Sequence, residues 1–327
     1  MPILKVTDLK VYFNVRKKFF WSKNNADTVK AVDGISLDLN EGETIGIVGE
    51  SGCGKSTLGR AILNLIKPTD GQVLWMGKNL ANLEKNEMRN LRKDLQIIFQ
   101  DPLASLNPRM TVGQIITEPL KTFFPNLSKA ERRERVEEIM LKVGLSPHQI
   151  NRYPHEFSGG QCQRIGIARS MILQPKLLVC DEPVSALDVS IQAQILNLLM
   201  DLQKETNISL IFISHDLGVV RHISHKIAVL YLGRVAEIAE NEDLYKNPKH
   251  PYTQALISAV PIPDPDLEQK KQRMIIKGDL PSPLNPPSGC RFRTRCPKAQ
   301  EICAEVIPVL EQISPTHIVA CHFWREP

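Results

Sequence analysis

Short runs of apolar, β-branched residues alternate along the chain with stretches whose apolar positions recur at helical spacing. That alternation predicts a parallel sheet with helices packed on it. Thr44-Ile45-Gly46-Ile47-Val48 reads as a strand, a Gly-rich turn follows, and Thr57–Ile66 reads as a helix. Leu177-Leu178-Val179-Cys180 begins a second such unit: Ile191, Ile195, Leu198, Leu199 and Leu202 mark the helix, and Leu210-Ile211-Phe212-Ile213 the next strand. Met1–Asp8 opens as a strand, in keeping with a β-rich N-terminal portion. From about Leu103 to Gln163 the pattern turns helical, with Ser128 and Glu131 in capping-box spacing and Val136, Ile139, Met140 and Val143 on one face. This predicts a helical subdomain, about residues 103–163, inserted into an α/β domain spanning residues 1–263. After about Asp264 the chain turns rich in Pro, Cys and Arg, which marks residues 264–327 as a small C-terminal extension.

Composition narrows this picture. Apolar runs such as Ile208–Ile213 and Ile227–Leu232 are far shorter than the roughly 20 residues that a membrane-spanning helix needs, so no bilayer crossing is expected. The N-terminus lacks the basic-then-apolar layout of a secretory signal, and a cytoplasmic location with reduced thiols is the expectation. A net charge of +5, from 41 basic and 36 acidic residues, is too mild to argue for nucleic acid as a partner, and a solvated surface is the reading. Local clusters stand out at Arg16-Lys17-Lys18 beside Phe19-Phe20-Trp21, and at Arg291, Arg293, Arg295 and Lys298.

The segment Gly49-Glu50-Ser51-Gly52-Cys53-Gly54-Lys55-Ser56 matches G-x-x-x-x-G-K-[ST] between a predicted strand and helix. Glycines let the backbone curl so that its N–H groups face phosphate oxygens, and the helix N-terminus adds a favourable dipole. Lys55 is expected to neutralise the β- and γ-phosphates and Ser56 to ligate Mg²⁺, with Thr57 close behind. Asp181 and Glu182 end an apolar strand, where Asp181 would hold Mg²⁺ through its water shell and Glu182 would polarise the attacking water. Gln100 and His215 follow two further apolar strands; Gln100 is placed to reach Mg²⁺ or the lytic water, and His215 the γ-phosphate. Ser158-Gly159-Gly160-Gln161 opens another helix and forms a second anion cradle, which one nucleotide bound to one chain does not need.

In order and spacing the phosphate loop, Gln100, Ser158–Gln161, Asp181-Glu182, Ser185–Asp188 and His215 resemble the motif set of ABC ATPases across roughly residues 1–260. The resemblance implies a RecA-like P-loop core and ATP and Mg²⁺ as the bound species. It further implies that Ser158 and Gly160 complete the ATP site of a partner subunit, with Ser185–Asp188 signalling across the dimer. Phe157 departs from the family's usual Leu. An aromatic near the first strand stacks on adenine in this family; Tyr12 is the candidate here, with Phe13 the alternative and core packing the plain reading of either.

His250–Leu256, Pro281-Ser282-Pro283 and the cysteine-bearing tail resemble the C-terminal region of dipeptide/oligopeptide permease ATPases. That resemblance implies import of peptides or related solutes, with a non-identical second ATPase, two transmembrane permease subunits and an extracytoplasmic solute-binding protein as partners. A peripheral position on the cytoplasmic face of the inner membrane goes with it. Cys290, Cys296, Cys303 and Cys321 read as metal ligands before disulfides in a reducing compartment, although no close C-x2-4-C pair of the usual zinc type occurs. The resembled family carries a [4Fe–4S] cluster there; zinc and an empty site are the alternatives. A competing functional class is a soluble ABC ATPase acting on nucleic acid through a basic, metal-binding tail, in which only Phe292 interleaves the arginines for stacking.

Overall fold

The computed structural model describes residues 2–15, 27–261, 264, 266 and 273–325. The basic and aromatic cluster at Arg16–Trp21 lies outside the described residues. The chain divides into two compact units, residues 39–44 with 82–213, and residues 2–38, 45–81 and 214–327.

The second of these carries two sheets. One has the order β2-β1-β4-β5, built from β1 (Leu4–Val15), β2 (Asp27–Leu39), β4 (Asp70–Trp75) and β5 (Lys78–Asn79). β1 and β4 run antiparallel, with Leu4 opposite Trp75 and Val6 opposite Val73. Leu4 and Val6 alternate with exposed polar residues, a bulge between Thr7 and Lys10 resets the register, and Leu9 and Val11 then return to the core. The other ladder follows the order β11-β12-β10-β9-β3, from β3 (Thr44–Val48), β9 (Lys226–Tyr231), β10 (Arg234–Glu240), β11 (Glu311–Ser314) and β12 (His317–Val319). β3 and β9 pair in parallel, from Ile45 opposite Lys226 to Val48 opposite Val229, and every residue of β3 is buried. α1 (Lys55–Ile62) follows β3. It stops four residues earlier than the apolar spacing predicts, because Asn64 adopts a left-handed backbone, with φ 51°, that ends the helical ladder. Among the described residues this unit also carries α8 (Leu217–Ile223), α9 (Asn241–Lys246), α10 (Pro251–Ala259) and α11 (Ile302–Glu305).

The first unit holds a parallel ladder of β6 (Leu95–Ile98), β7 (Leu177–Asp181) and β8 (Ser209–Ile213). β7 and β8 are buried throughout, which is why both read as unbroken apolar runs rather than alternating ones. Its helices are α2 (Lys85–Leu91), α3 (Pro102–Ser105), α4 (Val112–Phe123), α5 (Lys129–Lys142), α6 (Gly159–Met171) and α7 (Val189–Thr206). The predicted cap of α5 forms: Ser128 N–H donates to Glu131 Oε2 at 2.7 Å, and Glu131 N–H to Ser128 Oγ at 3.2 Å. Val136, Ile139, Met140 and Val143 are buried as the spacing predicts. In α7 the buried stripe is Ile195, Leu196, Leu199 and Leu202, whereas Ile191 and Leu198 are only half-buried. Among the described residues no helix is long and apolar enough to cross a membrane.

β12 is fastened through a buried histidine. His317 lies between Glu237 Oε1 and Asp243 Oδ2, 2.7 Å from each, and Glu237 also accepts the backbone N–H groups of Lys249 and His250. Burial alone lowers the His317 pKa, but the hydrogen bonds and charges of the two carboxylates outweigh it and raise the value above that of free imidazole. A raised folded-state pKa stabilises the fold below the unfolded value and loses that contribution as pH climbs through the folded value. Melting temperature should therefore fall as pH rises above about 6.5. His317→Gln should flatten this slope; a wild-type profile that stays level through the interval assigns the histidine no such role.

Candidate functional site

The phosphate-loop residues form a tight connection between β3 and α1. Gly54 adopts φ 103°, and a Cβ there would sit 2.0 Å from the Ala31 carbonyl oxygen, so only glycine fits. Lys55 is 4% exposed, and its ammonium donates to the carbonyls of Gly49 at 2.8 Å and Glu50 at 3.1 Å. Ser51 and Gly52 are exposed, and Ser56 and Thr57 half-exposed, at the start of the helix. Cys53 is buried, and burial pushes its thiol pKa up, which makes it a packing element rather than a reactive thiol.

Asp33 anchors the surroundings of this loop. It is 5% exposed and accepts from Arg234 Nε at 3.0 Å, from Arg291, and from the Tyr12 hydroxyl. Burial raises the Asp33 pKa, yet the Tyr12 hydrogen bond and the two arginines hold it below the usual carboxylate range. Burial and the Asp33 contact drive the Tyr12 phenol up to about 12, so it stays protonated and donates. The half-exposed Tyr12 ring has Lys30 Nζ 5.6 Å from its centroid, while Phe13 is 39% exposed.

In the other unit, Asp181 is 1% exposed at the end of β7, and Glu182 follows with a left-handed φ of 47°. That backbone is uncommon for a side-chain-bearing residue, and three hydrogen bonds hold it. Glu182 N–H donates to the Ile213 carbonyl at 3.0 Å, while Ser185 N–H and Oγ–H donate to the Glu182 carbonyl at 3.3 and 3.1 Å. Gln100 joins it, its amide nitrogen 3.1 Å from Glu182 Oε2. The pairing of Gln100 with Glu182 is thus present within one unit. Exposed His215 stands in the other unit, just before α8, whose first turn is capped by Asp216.

Ser158 caps α6: its N–H donates to Gln161 Oε1 at 3.0 Å, and its Oγ accepts from Gln161 N–H at 3.4 Å. Gln161 therefore serves the cap, a part its place in the anion cradle did not suggest. A Cβ on Gly160 would lie 2.5 Å from Ile191 Cγ2, so this glycine lets α6 meet α7. Asp188 stands at the N-cap of α7 without a side-chain cap bond, exposed to solvent.

The expected metal cluster of the tail is not upheld. Among the described residues no group of three or more His, Cys, Asp or Glu side chains is disposed to hold a metal ion. Cys290, Cys296, Cys303 and Cys321 instead line a small cavity of about 10 Å³ with Phe292 and Phe323. Burial drives the Cys290 thiol up to about 11 and also raises those of Cys296 and Cys321. The tail arginines differ from their even spacing as well. Arg291 and Arg295 are turned into the protein, while Arg293 donates to the Ser288 carbonyl at 2.9 Å at the surface. Asp33, Glu50, Tyr252, Arg291 and Arg295 were invisible as a group in the sequence, although a lone acid between the apolar Val32 and Ile35 was a signal of a buried charge.

A glycine-bound phosphate loop after a buried strand, with an acidic pair ending another, defines an ATP-hydrolysing cassette. An ABC transporter model matches residues 32–185, and a model for the oligopeptide/dipeptide transporter C-terminal region matches residues 236–303. The chain is 61% identical to the oligopeptide transport ATP-binding protein OppF of Salmonella typhimurium, over 98% of this chain and 95% of that protein. It is 54% identical to AppF of Bacillus subtilis, over 98% and 97% respectively. Among solved structures, cbiO1 of Clostridium perfringens aligns with TM-score 0.64 and 29% identity over 75% of this chain and 91% of that one. A dimeric, post-hydrolysis structure of the ATP-binding cassette MJ0796 with ADP and Pi aligns with TM-score 0.65 and 29% identity, over 73% and 98%. The chain belongs to the oligopeptide-transport ATP-binding proteins of the ABC transporter family, and it is an ATPase.

Gly160→Ala should destabilise the chain by about 1–3 kcal/mol through the clash with Ile191. Adding Ile191→Ala should recover much of that loss in denaturant melts; no recovery would mean that the contact does not set the helix spacing.

Proposed function

We propose that this chain energises oligopeptide import by binding and hydrolysing ATP at the cytoplasmic face of a membrane transporter. The observation that carries the reading is Glu182, held in a strained backbone conformation and bonded to Gln100, next to the buried Asp181. Lys55 and the loop N–H groups from Gly49 to Ser56, with Thr57 behind them, bind the phosphates of ATP, and Tyr12 stacks on its adenine. The Asp33 bond supports that role because it fixes the Tyr12 hydroxyl while leaving the ring half-exposed.

Ser56, Gln100 and Asp181 would hold Mg²⁺. The donor set fits a hard cation, since all three offer oxygen and the Gln100 amide nitrogen is already engaged by Glu182. Bound there, Mg²⁺ would neutralise charge on the β- and γ-phosphates. Glu182 accepts the proton of the attacking water, Gln100 orients that water, and His215 contacts the γ-phosphate. Ser158, Gly159, Gly160 and Gln161 contribute the start of α6 to the nucleotide of a partner ATPase, with Asp188 relaying its state. The dimeric, ADP-bound MJ0796 cassette supports such a pairing.

The partner ATPase is a related, non-identical chain, and two membrane-spanning permease subunits and an extracytoplasmic peptide-binding protein complete the transporter. Oligopeptide transport in the names of full-length relatives supports this assignment over action on nucleic acid. Glu182→Gln should leave MgATP binding within about twofold of wild type while lowering kcat by at least about 100-fold. Retention of most turnover in a single-turnover assay would remove Glu182 from the base role.

A further inference from the structure

The phosphate loop contains a carboxylate at its second position. Glu50 is held through its N–H, its carbonyl and one carboxylate oxygen. Its N–H donates to the Tyr252 hydroxyl at 3.0 Å, its carbonyl accepts from Lys55 at 3.1 Å, and its carboxylate accepts from Arg295 Nη1 at 2.7 Å. Arg295 comes from the cysteine-bearing extension, 245 positions further along the chain, and its side chain is 9% exposed. It also reaches the Tyr231 hydroxyl at 3.4 Å, with its guanidinium 6.0 Å from that ring. Tyr231 in turn packs edge-on against Tyr252 and Phe292, so the arginine is seated in an aromatic cluster shared by β9, α10 and the tail.

A loop that binds a triphosphate gains nothing from a bare carboxylate. The like charges repel, and only a paired cation in a partly desolvated setting removes that penalty. We propose that Arg295 is a positioning residue for ATP, neutralising Glu50 and holding its backbone so that the phosphate loop keeps its affinity for the nucleotide. The inference rests on the ATPase reading and extends it: the C-terminal extension, not only the cassette, then sets the ATP affinity. Arg291 works beside it on Asp33, the carboxylate that holds Tyr12.

The test uses the full-length chain assembled with its partner ATPase and membrane subunits, with MgATP binding at equilibrium and the KM and kcat of hydrolysis measured for wild type, Arg295→Met, Arg295→Lys and the double variant Arg295→Met with Glu50→Gln. Arg295→Met should raise KM and the MgATP dissociation constant roughly tenfold with kcat little changed, since the uncompensated Glu50 charge then repels the phosphates already in the ground state. Arg295→Lys should stay within about threefold, and the double variant should return to within about twofold of wild type, because removing the Glu50 charge abolishes the need for its counterion. A mere packing role would leave the double variant as weak as Arg295→Met, and that result overturns the proposal, as does an unchanged KM in Arg295→Met. A wild-type chain that neither binds nor hydrolyses MgATP would instead remove the ATPase reading itself.

Discussion

A loop that grips phosphate must hold its backbone N–H groups in a fixed arc with no side chain in the way. In this chain Gly54 meets the constraint by packing against the Ala31 carbonyl, a contact that any Cβ would break. Lys55 is held by the carbonyls of its own loop, so its charge is supported before any other partner is considered. The loop is braced from outside as well: Gly233 N–H donates to the Cys53 carbonyl at 2.8 Å, and Asp33 N–H to the Gly233 carbonyl at 2.8 Å. Phosphate recognition is thus assembled from backbone geometry, and side chains serve mainly to keep that geometry still.

Buried charge performs much of the bracing. Asp33 takes hydrogen bonds from Arg234, Arg291 and Tyr12, and Glu237 takes them from His317 and two backbone N–H groups. Carboxylates this deeply placed are tolerable only when each lone pair has a donor, and removing one partner leaves an uncompensated charge that costs about 3–5 kcal/mol. Both nodes recruit residues from the C-terminal extension, Arg291 in one and His317 in the other. The extension is therefore part of the same charge network as the phosphate loop. Its cysteines line a small cavity among aromatic side chains, where burial raises the thiol pKa values of Cys290, Cys296 and Cys321.

The acidic pair at the end of β7 shows the opposite strategy. Glu182 carries a strained φ and remains half-exposed, while Asp181 beside it is fully enclosed. Strain at Glu182 is offset by hydrogen bonds from Ser185 and to Ile213, which fix the direction of the side chain that Gln100 meets.

Local signals in the sequence determined the strands β3, β7 and β8, the cap of α5, the phosphate loop and the acidic pair, because each depends on residue types within a few positions of one another. Glycine spacing, apolar runs and capping pairs act over one turn or one strand, so they can be read without a fold. The ends of α1, the half-buried stripe of α7, the part of Gln161 in its cap and the inward turn of Arg291 and Arg295 were decided only by tertiary structure. An arginine 245 positions from its carboxylate gives no sign in sequence of which charge it will meet. The four cysteines were legible as a cluster, but that no group of three or more such side chains among the described residues is disposed to hold a metal ion was set by the packing around them. Burial sets the cost of a charge, and burial is a property of the packed chain.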